Sequence, residues 1–259
     1  MRPLVDTHCH LGHHFTDGVD EQLARARAAG LVVVVDVGTD VASSRAAVDN
    51  AHAHDDVWAA VGLHPNDAGT ATPEVLAALD QLAALPRVVA IGETGLDAYR
   101  DTATPDEQER AFCAQLAMAR RHDRAVVIHC RDAWDACVHI LEREGMVGPD
   151  ARVVLHCYSG DAATTERTVA NGWWHSFAGN VTFTSAKALQ DVAVRIPDEL
   201  LLTETDSPYL TPHPHRGKPN DPAYVALTLA GLADLRGTDP DTLAASVLAN
   251  TRRVFRLPG

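Results

Sequence analysis

Val5-Asp6-Thr7-His8-Cys9-His10-Leu11, close to the N-terminus, reads as the end of a β-strand that carries two histidines one residue apart. Side chains alternate along a strand with period two. His8 and His10 therefore share one face, and Cys9 points to the other. Two imidazoles aimed at one spot make half a site for zinc or another transition metal. Such a half-site needs ligands from neighbouring strands, and the rest of the chain supplies them.

Short β-branched runs alternate with longer helical stretches. The strands are read at Leu4–His8, Leu31–Asp36, Val57–Gly62, Arg87–Gly92, Ala125–His129, Arg152–His156, Trp174–Phe177 and Leu200–Thr203. Helices are read at Asp20–Ala29, Val41–His54, Pro73–Ala84, Asp106–His122, Asp132–Glu144, Ala162–Asn171, Ala186–Arg195, Pro222–Leu235 and Asp239–Phe255. Continuous apolar strands, each followed by a helix, indicate a parallel sheet buried on both faces. Eight such units predict an α/β fold of the (β/α)8 TIM-barrel type, a single domain over residues 1–259. A doubly wound open sheet is the alternative, but its nucleotide signatures, G-x-G-x-x-G and the P-loop, are absent. The proline-rich stretch Ser207–Pro222 follows the last strand, where a barrel carries active-site loops.

At 46% apolar and 22% charged residues, the 259-residue chain has the composition of a soluble globular protein with a large core. No uncharged apolar run reaches the roughly 18 residues of a membrane span. Met1-Arg2-Pro3-Leu4-Val5-Asp6 meets a charge too early for a signal peptide. The five cysteines are odd in number and lack C-x-x-C spacing, which suits free thiols in a reducing cytoplasm. A formal charge of −13 argues against tight non-specific binding to duplex nucleic acid. Bound divalent cations would reverse that sign locally.

Polar residues gather where the strands end. After His8 and His10 come Gly62-Leu63-His64-Pro65, Gly92-Glu93-Thr94-Gly95-Leu96-Asp97, His129-Cys130-Arg131, His156-Cys157-Tyr158-Ser159-Gly160 and Glu204-Thr205-Asp206-Ser207-Pro208. Every group lies at the C-terminal end of its strand, where barrel enzymes carry chemistry. Histidines mixed with carboxylates suit Zn, Mn, Fe, Co or Ni, and with water also Mg. Six candidate ligands exceed the needs of one zinc. Two metals sharing one carboxylate would use them and activate a water, with Glu93, on the central strand, as the bridge. Asp206 lies on the last strand, next to the first in a closed barrel. It can reach a metal beside His8 and His10 and take the proton of the nucleophile.

Together with Thr203-Glu204-Thr205-Asp206-Ser207-Pro208 and Arg216-Gly217-Lys218-Pro219-Asn220, these motifs run through nearly the whole chain in order. As a set, the sequence resembles the TatD family of metal-dependent hydrolases. The resemblance implies an amidohydrolase-like barrel, a site for one to three divalent metals and a deoxyribonuclease activity, often 3′ to 5′ on single strands. It implies that His8, His10, Glu93, His129, His156 and Asp206 are metal ligands. Glu93, Asp206 and Glu204 would be the catalytic acids, and His64, Tyr158 and Arg216 would face substrate. The role of Glu204 stays open between second ligand, proton shuttle and orienter of a ligand. Two departures, His13-His14 and Asn180 before Val181-Thr182-Phe183, lie outside the ligand set.

The function expected is therefore phosphodiester hydrolysis in DNA, with single strands or ends as substrate, no membrane partner and no obligate protein partner. A lactonase, amidase, deacetylase or phosphotriesterase-like enzyme on the same scaffold is the first alternative. Some such enzymes bridge their metals with a carboxylated lysine, but no lysine stands at a strand end here. A metal-binding protein with little turnover is the second. Cys9, Cys130 and Cys157 read as small core residues, Trp173 and Trp174 as packing rather than base-stacking groups, and His13 and His215 as the further histidines nearest the mouth.

Overall fold

The computed structural model describes residues 2–13, 17–148 and 150–258. His14 falls outside them. The described chain runs β1 (Leu4–Cys9), α1 (Val19–Ala29), β2 (Leu31–Val37), α2 (Val41–Ala53), β3 (Val57–Val61), α3 (Pro73–Ala83), β4 (Val88–Asp97), α4 (Pro105–His122) and β5 (Ala125–Arg131). It continues α5 (Trp134–Arg143), β6 (Val153–Leu155), α6 (Ala162–Ala170), β7 (Trp174–Phe177), α7 (Lys187–Ala193), β8 (Leu201–Thr203), α8 (Val225–Arg236) and α9 (Pro240–Phe255). The strands are parallel and hydrogen-bonded in the order β1 to β8. Beyond β8 the chain closes on β1: the Asp206 N–H donates to His8 O at 2.9 Å and the His10 N–H to Ser207 O at 3.0 Å. This is the (β/α)8 TIM barrel expected, in a single domain.

β1 and β4 are buried at every position, because barrel interior covers one face and helices the other. Period-two alternation sorts the side chains. Val35, Val37, Ala60, Ala90, Val127, Val154 and Leu202 pack as one cluster with Val254 and Phe255 from the end of α9. The larger cluster lies between strands and helices, around Leu23, Leu79, Phe112 and Leu141. Helices α3, α4 and α9 start on the C-terminal side of the preceding chain with a capping side chain followed by proline: Thr72-Pro73, Thr104-Pro105 and Asp239-Pro240. The cap accepts an otherwise orphaned N–H and the proline presets the first helical φ. No helix of the described residues is long and apolar enough to cross a membrane.

Several boundaries differ from the sequence reading, each for a local reason. β4 does not stop at Gly92. It bulges between Ile91 and Thr94 and then pairs again, from Thr94 opposite Ile128 to Asp97 opposite Arg131. β6 stops at Leu155, which leaves His156 in the following turn. The segment from Pro222 opens with a 3₁₀ turn and is α-helical only from Val225. Trp173 is fully buried and its indole N–H donates to Met146 O at 2.7 Å. Trp174 lies beneath the Arg253 guanidinium, 5.3 Å from its ring centre. Both tryptophans pack, as read.

His175 on β7 is fully buried, with Nε2 2.8 Å from Thr168 Oγ1. Burial pushes its pKa down to about 3. The native imidazole therefore stays neutral while the unfolded one takes a proton below about pH 6.5. Its contribution to stability is intact above that pH and is lost as pH falls towards 3. Between pH 7.5 and 5 the loss is about 2 kcal/mol. His175→Gln, which keeps a partner for Thr168 and cannot protonate, is expected to flatten the pH dependence of urea midpoints by that amount. Parallel profiles for the two proteins would refute this.

Candidate metal centre

Glu93 is the hub. Its carboxylate is buried and stands within 4 Å of five imidazoles. The two oxygens serve different groups. Oε2 faces His8 Nε2 at 3.5 Å and His10 Nε2 at 3.9 Å. Oε1 faces His129 Nδ1 at 2.7 Å, His156 Nε2 at 2.9 Å and His64 Nε2 at 3.4 Å. Asp206 joins the first group, with Oδ1 3.8 Å from His8 Nε2 and 3.7 Å from His10 Nε2. His8, His10 and Asp206 hold donor atoms within 4.8 Å of one another, as do His64, Glu93 and His129, and His8, Glu93 and His156.

The local chain explains this convergence. Gly62 and Gly92 let β3 and β4 approach so closely that a Cβ on Gly62 would lie 2.6 Å from the Gly92 carbonyl carbon. Gln115 on α4 holds both strand ends: it accepts the Leu63 N–H at 2.8 Å and donates to Leu63 O at 3.0 Å and Thr94 Oγ1 at 2.7 Å. His64 and Glu93 are thereby set side by side. Buried Asp6 ties β1 to the chain after β8, accepting the Thr205 N–H at 2.9 Å and its hydroxyl at 2.5 Å.

Charge in the centre follows from burial set against neighbouring groups. Burial alone would raise the Glu93 carboxyl, but the His156 and His64 charges and bonds from His129 and His156 hold it well below the usual carboxylate range. Burial would lower His10, yet the bond to Asp206 and the Glu93 charge push it up to about 9. His156 is likewise raised well above the ordinary histidine value, against burial, by Glu93 and Glu204. His8 goes the other way, pushed down to about 4 by burial and by the charge of His156. Its ring stacks on that of His156 at 3.9 Å. A fully buried imidazole with neither nitrogen hydrogen-bonded is rare. That orphaned pair of nitrogens, with Glu93 and Asp206 facing one of them, fits a divalent cation. A set rich in histidine with carboxylate suits borderline metals.

Ring orientations are already fixed for ligation. His10 Nδ1–H donates to Val37 O at 2.7 Å, which leaves Nε2 directed at the carboxylates. His129 donates from Nε2 to Asp97 Oδ2 at 3.2 Å, which leaves Nδ1 for the centre. Glu204 stands behind His156: its Oε1 lies 3.4 Å from His156 Nδ1 and accepts the Cys157 N–H at 2.6 Å. It thus lies on the far side of His156 from Glu93 rather than facing the centre. Asp97, Gln115 and Asp6 are the residues that sequence reasoning missed. Asp97 stood inside a quoted motif, and its even spacing from Glu93 across a bulge gave no sign of its reach. Carboxylates that orient a ligating imidazole are worth about 10- to 100-fold in metal affinity. Asp97→Asn is expected to weaken binding by that factor in a chelator-competition titration, with an unaltered circular dichroism spectrum. An unchanged affinity would contradict the role.

The structure separates the remaining candidates. Tyr158 does not face the mouth. It is fully buried among Trp134, His175 and Phe177, with its hydroxyl 3.0 Å from Thr165 Oγ1. The chain turns away from the centre after His156, which carries Tyr158 outward under α6. Arg216 sits on the rim with its guanidinium 4.3 Å above the Phe183 ring. Asn220 is fully buried and donates to Thr205 O at 2.8 Å and to Tyr209 O, so it braces the β8–α8 loop. Cys9 points away from the centre, its thiol 3.6 Å from Val35 O. Cys130 is buried, and Cys157 lies 3.8 Å from Asn180 Nδ2. The His13 ring lies 6.3 Å from that of His10, whereas His215 stacks on Tyr224 at 4.6 Å.

Known proteins resemble this chain over nearly its whole length. Residues 5–256 match the family model described as TatD related DNase. An uncharacterized metal-dependent hydrolase TatD of Mycobacterium tuberculosis is 40% identical, over 98% of each chain. A 3′-5′ ssDNA/RNA exonuclease TatD of Klebsiella pneumoniae is 39% identical, over 93% of each chain. Among solved structures, YJJV, a TatD homologue from Escherichia coli K12, superposes with a TM-score of 0.90 at 31% identity, over 98% of each chain. This chain belongs to the TatD family of metal-dependent hydrolases.

Proposed function

We propose that the protein hydrolyses phosphodiester bonds at the ends of single-stranded DNA, with two divalent cations held on either side of Glu93. The observation that carries this reading is the divergence of the two Glu93 oxygens towards separate groups of ligands. When bound, such a pair of cations acidifies a water and neutralises charge on a phosphoryl oxygen. His8, His10 and Asp206 would hold one cation, and His129 and His156 the other, with His64 beside them. Asp206, whose side chain is 12% exposed, would orient the attacking water and accept its proton. Arg216 on the rim would offer a planar fork to phosphate. The name of the Klebsiella pneumoniae relative supports the substrate class. Five unpaired cysteines support a reducing, cytoplasmic setting.

The test uses metal-stripped protein to which Mg²⁺, Mn²⁺, Co²⁺ or Zn²⁺ is restored, with 3′- and 5′-labelled single strands and a matching duplex. Metal-dependent shortening of the single strand from its 3′ end is expected. Intact oligonucleotides under every metal would overturn the reading and direct attention to ester, lactone and amide substrates on the same centre.

A further inference from the structure

Among the described residues, just two tryptophan, tyrosine or phenylalanine side chains are exposed: Tyr99 at 62% and Tyr209 at 48%. Both lie on the rim of the metal centre. Tyr99 follows β4 by two residues, and Tyr209 lies in the loop after β8. The Tyr209 ring stands edge-on to that of His10, 6.2 Å away. Arg131, at the end of β5, lays its guanidinium 3.6 Å from the centre of the Tyr99 ring. The Tyr99 loop is pinned to the centre. Asp97 Oδ1 accepts the backbone N–H groups of Tyr99 and Arg100 at 2.9 Å each, while Oδ2 of the same carboxylate holds His129. The loop after β4 and the loop after β8 thus each carry one exposed aromatic ring beside the centre, Tyr99 through Asp97 and His129 and Tyr209 through His10.

A chain with a formal charge of −13 has little general means of tracking a nucleic-acid backbone. Flat aromatic faces offer another grip, because every unpaired base has a π-face. The faces of a paired base are covered by its neighbours in the duplex. We propose that Tyr99, backed by Arg131, and Tyr209 form a stacking platform that grips the unpaired bases next to the phosphate held at the metal centre. The platform restricts the enzyme to single-stranded ends. This inference rests on the nucleic-acid reading above and adds the residues that select the substrate.

The experiment compares wild type with Tyr99→Ala, Tyr209→Ala and Tyr99→Phe on three probes. They are a single-stranded decamer ending in 2-aminopurine, the same decamer with an abasic end, and bis-p-nitrophenyl phosphate, which has no base. Base–aromatic stacking corresponds to about 5- to 150-fold per base. Each alanine variant is expected to lower kcat/KM on the 2-aminopurine decamer about 10-fold or more relative to its effect on bis-p-nitrophenyl phosphate. It is expected to abolish the fluorescence quenching of bound 2-aminopurine, and Tyr99→Phe to retain both. Wild type acting on the abasic decamer is expected to resemble the alanine variants. Equal losses on all three probes, or no selective loss on the decamer, would overturn the platform. If wild type cleaves no oligonucleotide, the nucleic-acid hydrolysis reading fails. Quenching then decides the platform alone: it stands if Tyr99→Ala removes a quench seen in wild type, and falls if wild type shows none.

Discussion

Glu93→Gln is expected to lower metal-dependent turnover by about 10³-fold or more and to sharply reduce bound metal, while the protein still melts cooperatively. Both effects have one origin. The carboxylate provides a negative oxygen to each of two ligand groups, and no other carboxylate among the described residues stands between them. An amide has one oxygen, no charge and an NH₂ group that opposes a cation on the other side. The rate factor follows from losing the shared ligand of a site whose parts act as a unit. The barrel core is not involved, and without the Glu93 charge His10, His129 and His156 keep Asp206, Asp97 and Glu204 as partners, so no unpaired charge is left to unfold the chain. Kinetics on a phosphodiester, metal analysis of the purified variant and a thermal melt check all three parts. A folded variant with near wild-type turnover would refute the role given to Glu93.

Gly95→Ala is expected to destabilise the protein by about 3 kcal/mol or more and to weaken metal binding with it. Gly95 has φ +141°, and a Cβ there would lie 2.0 Å from the carbonyl oxygen of His129. The obstruction is backbone, so no side chain can rotate away. Gly95 pairs with His129 in the β4–β5 register. Any relief therefore parts the two strands at the point that carries Glu93, Asp97 and His129. Gly145→Ala is the control. Its φ is +73° but nothing lies within 4 Å of the added atom, so only backbone strain of about 1 kcal/mol is expected. Urea unfolding of both variants, with metal titration, separates crowding from strain. Equal small losses would contradict the account.

The architecture was legible because two periodicities were clean. Valine-rich runs such as Leu31–Val37 need burial on both faces, and the amphipathic stretches between them need a sheet to cover. The six ligand candidates were legible because a histidine or carboxylate at a strand end has few purely structural reasons to recur. What stayed hidden depended on backbone geometry that composition does not encode. The glycines of Gly92-Glu93-Thr94-Gly95 read as a strand's end, yet β4 bulges at Gly92-Glu93, where Gly92 has positive φ, and pairs again through Gly95. The same bulge brings Asp97 round to His129. Strand alternation would put Glu204 and Asp206 on one face, but β8 ends at Thr203 and Asp206 adopts φ +54°. One carboxylate then goes behind His156 and the other to His8 and His10. Tyr158, expected to face substrate from the resemblance alone, is buried instead because β6 ends at Leu155 and the turn after His156 carries it away from the centre.

The central claim is that Glu93 joins two cation sites, and anomalous diffraction from crystals loaded with Mn²⁺ or Zn²⁺ tests it most directly. The expected result is two anomalous peaks about 3.5–4 Å apart, one on each Glu93 oxygen, with His8, His10 and Asp206 around the first and His129 and His156 around the second. A single peak that leaves one of these groups without metal at saturating concentration, or peaks away from Glu93, would contradict it.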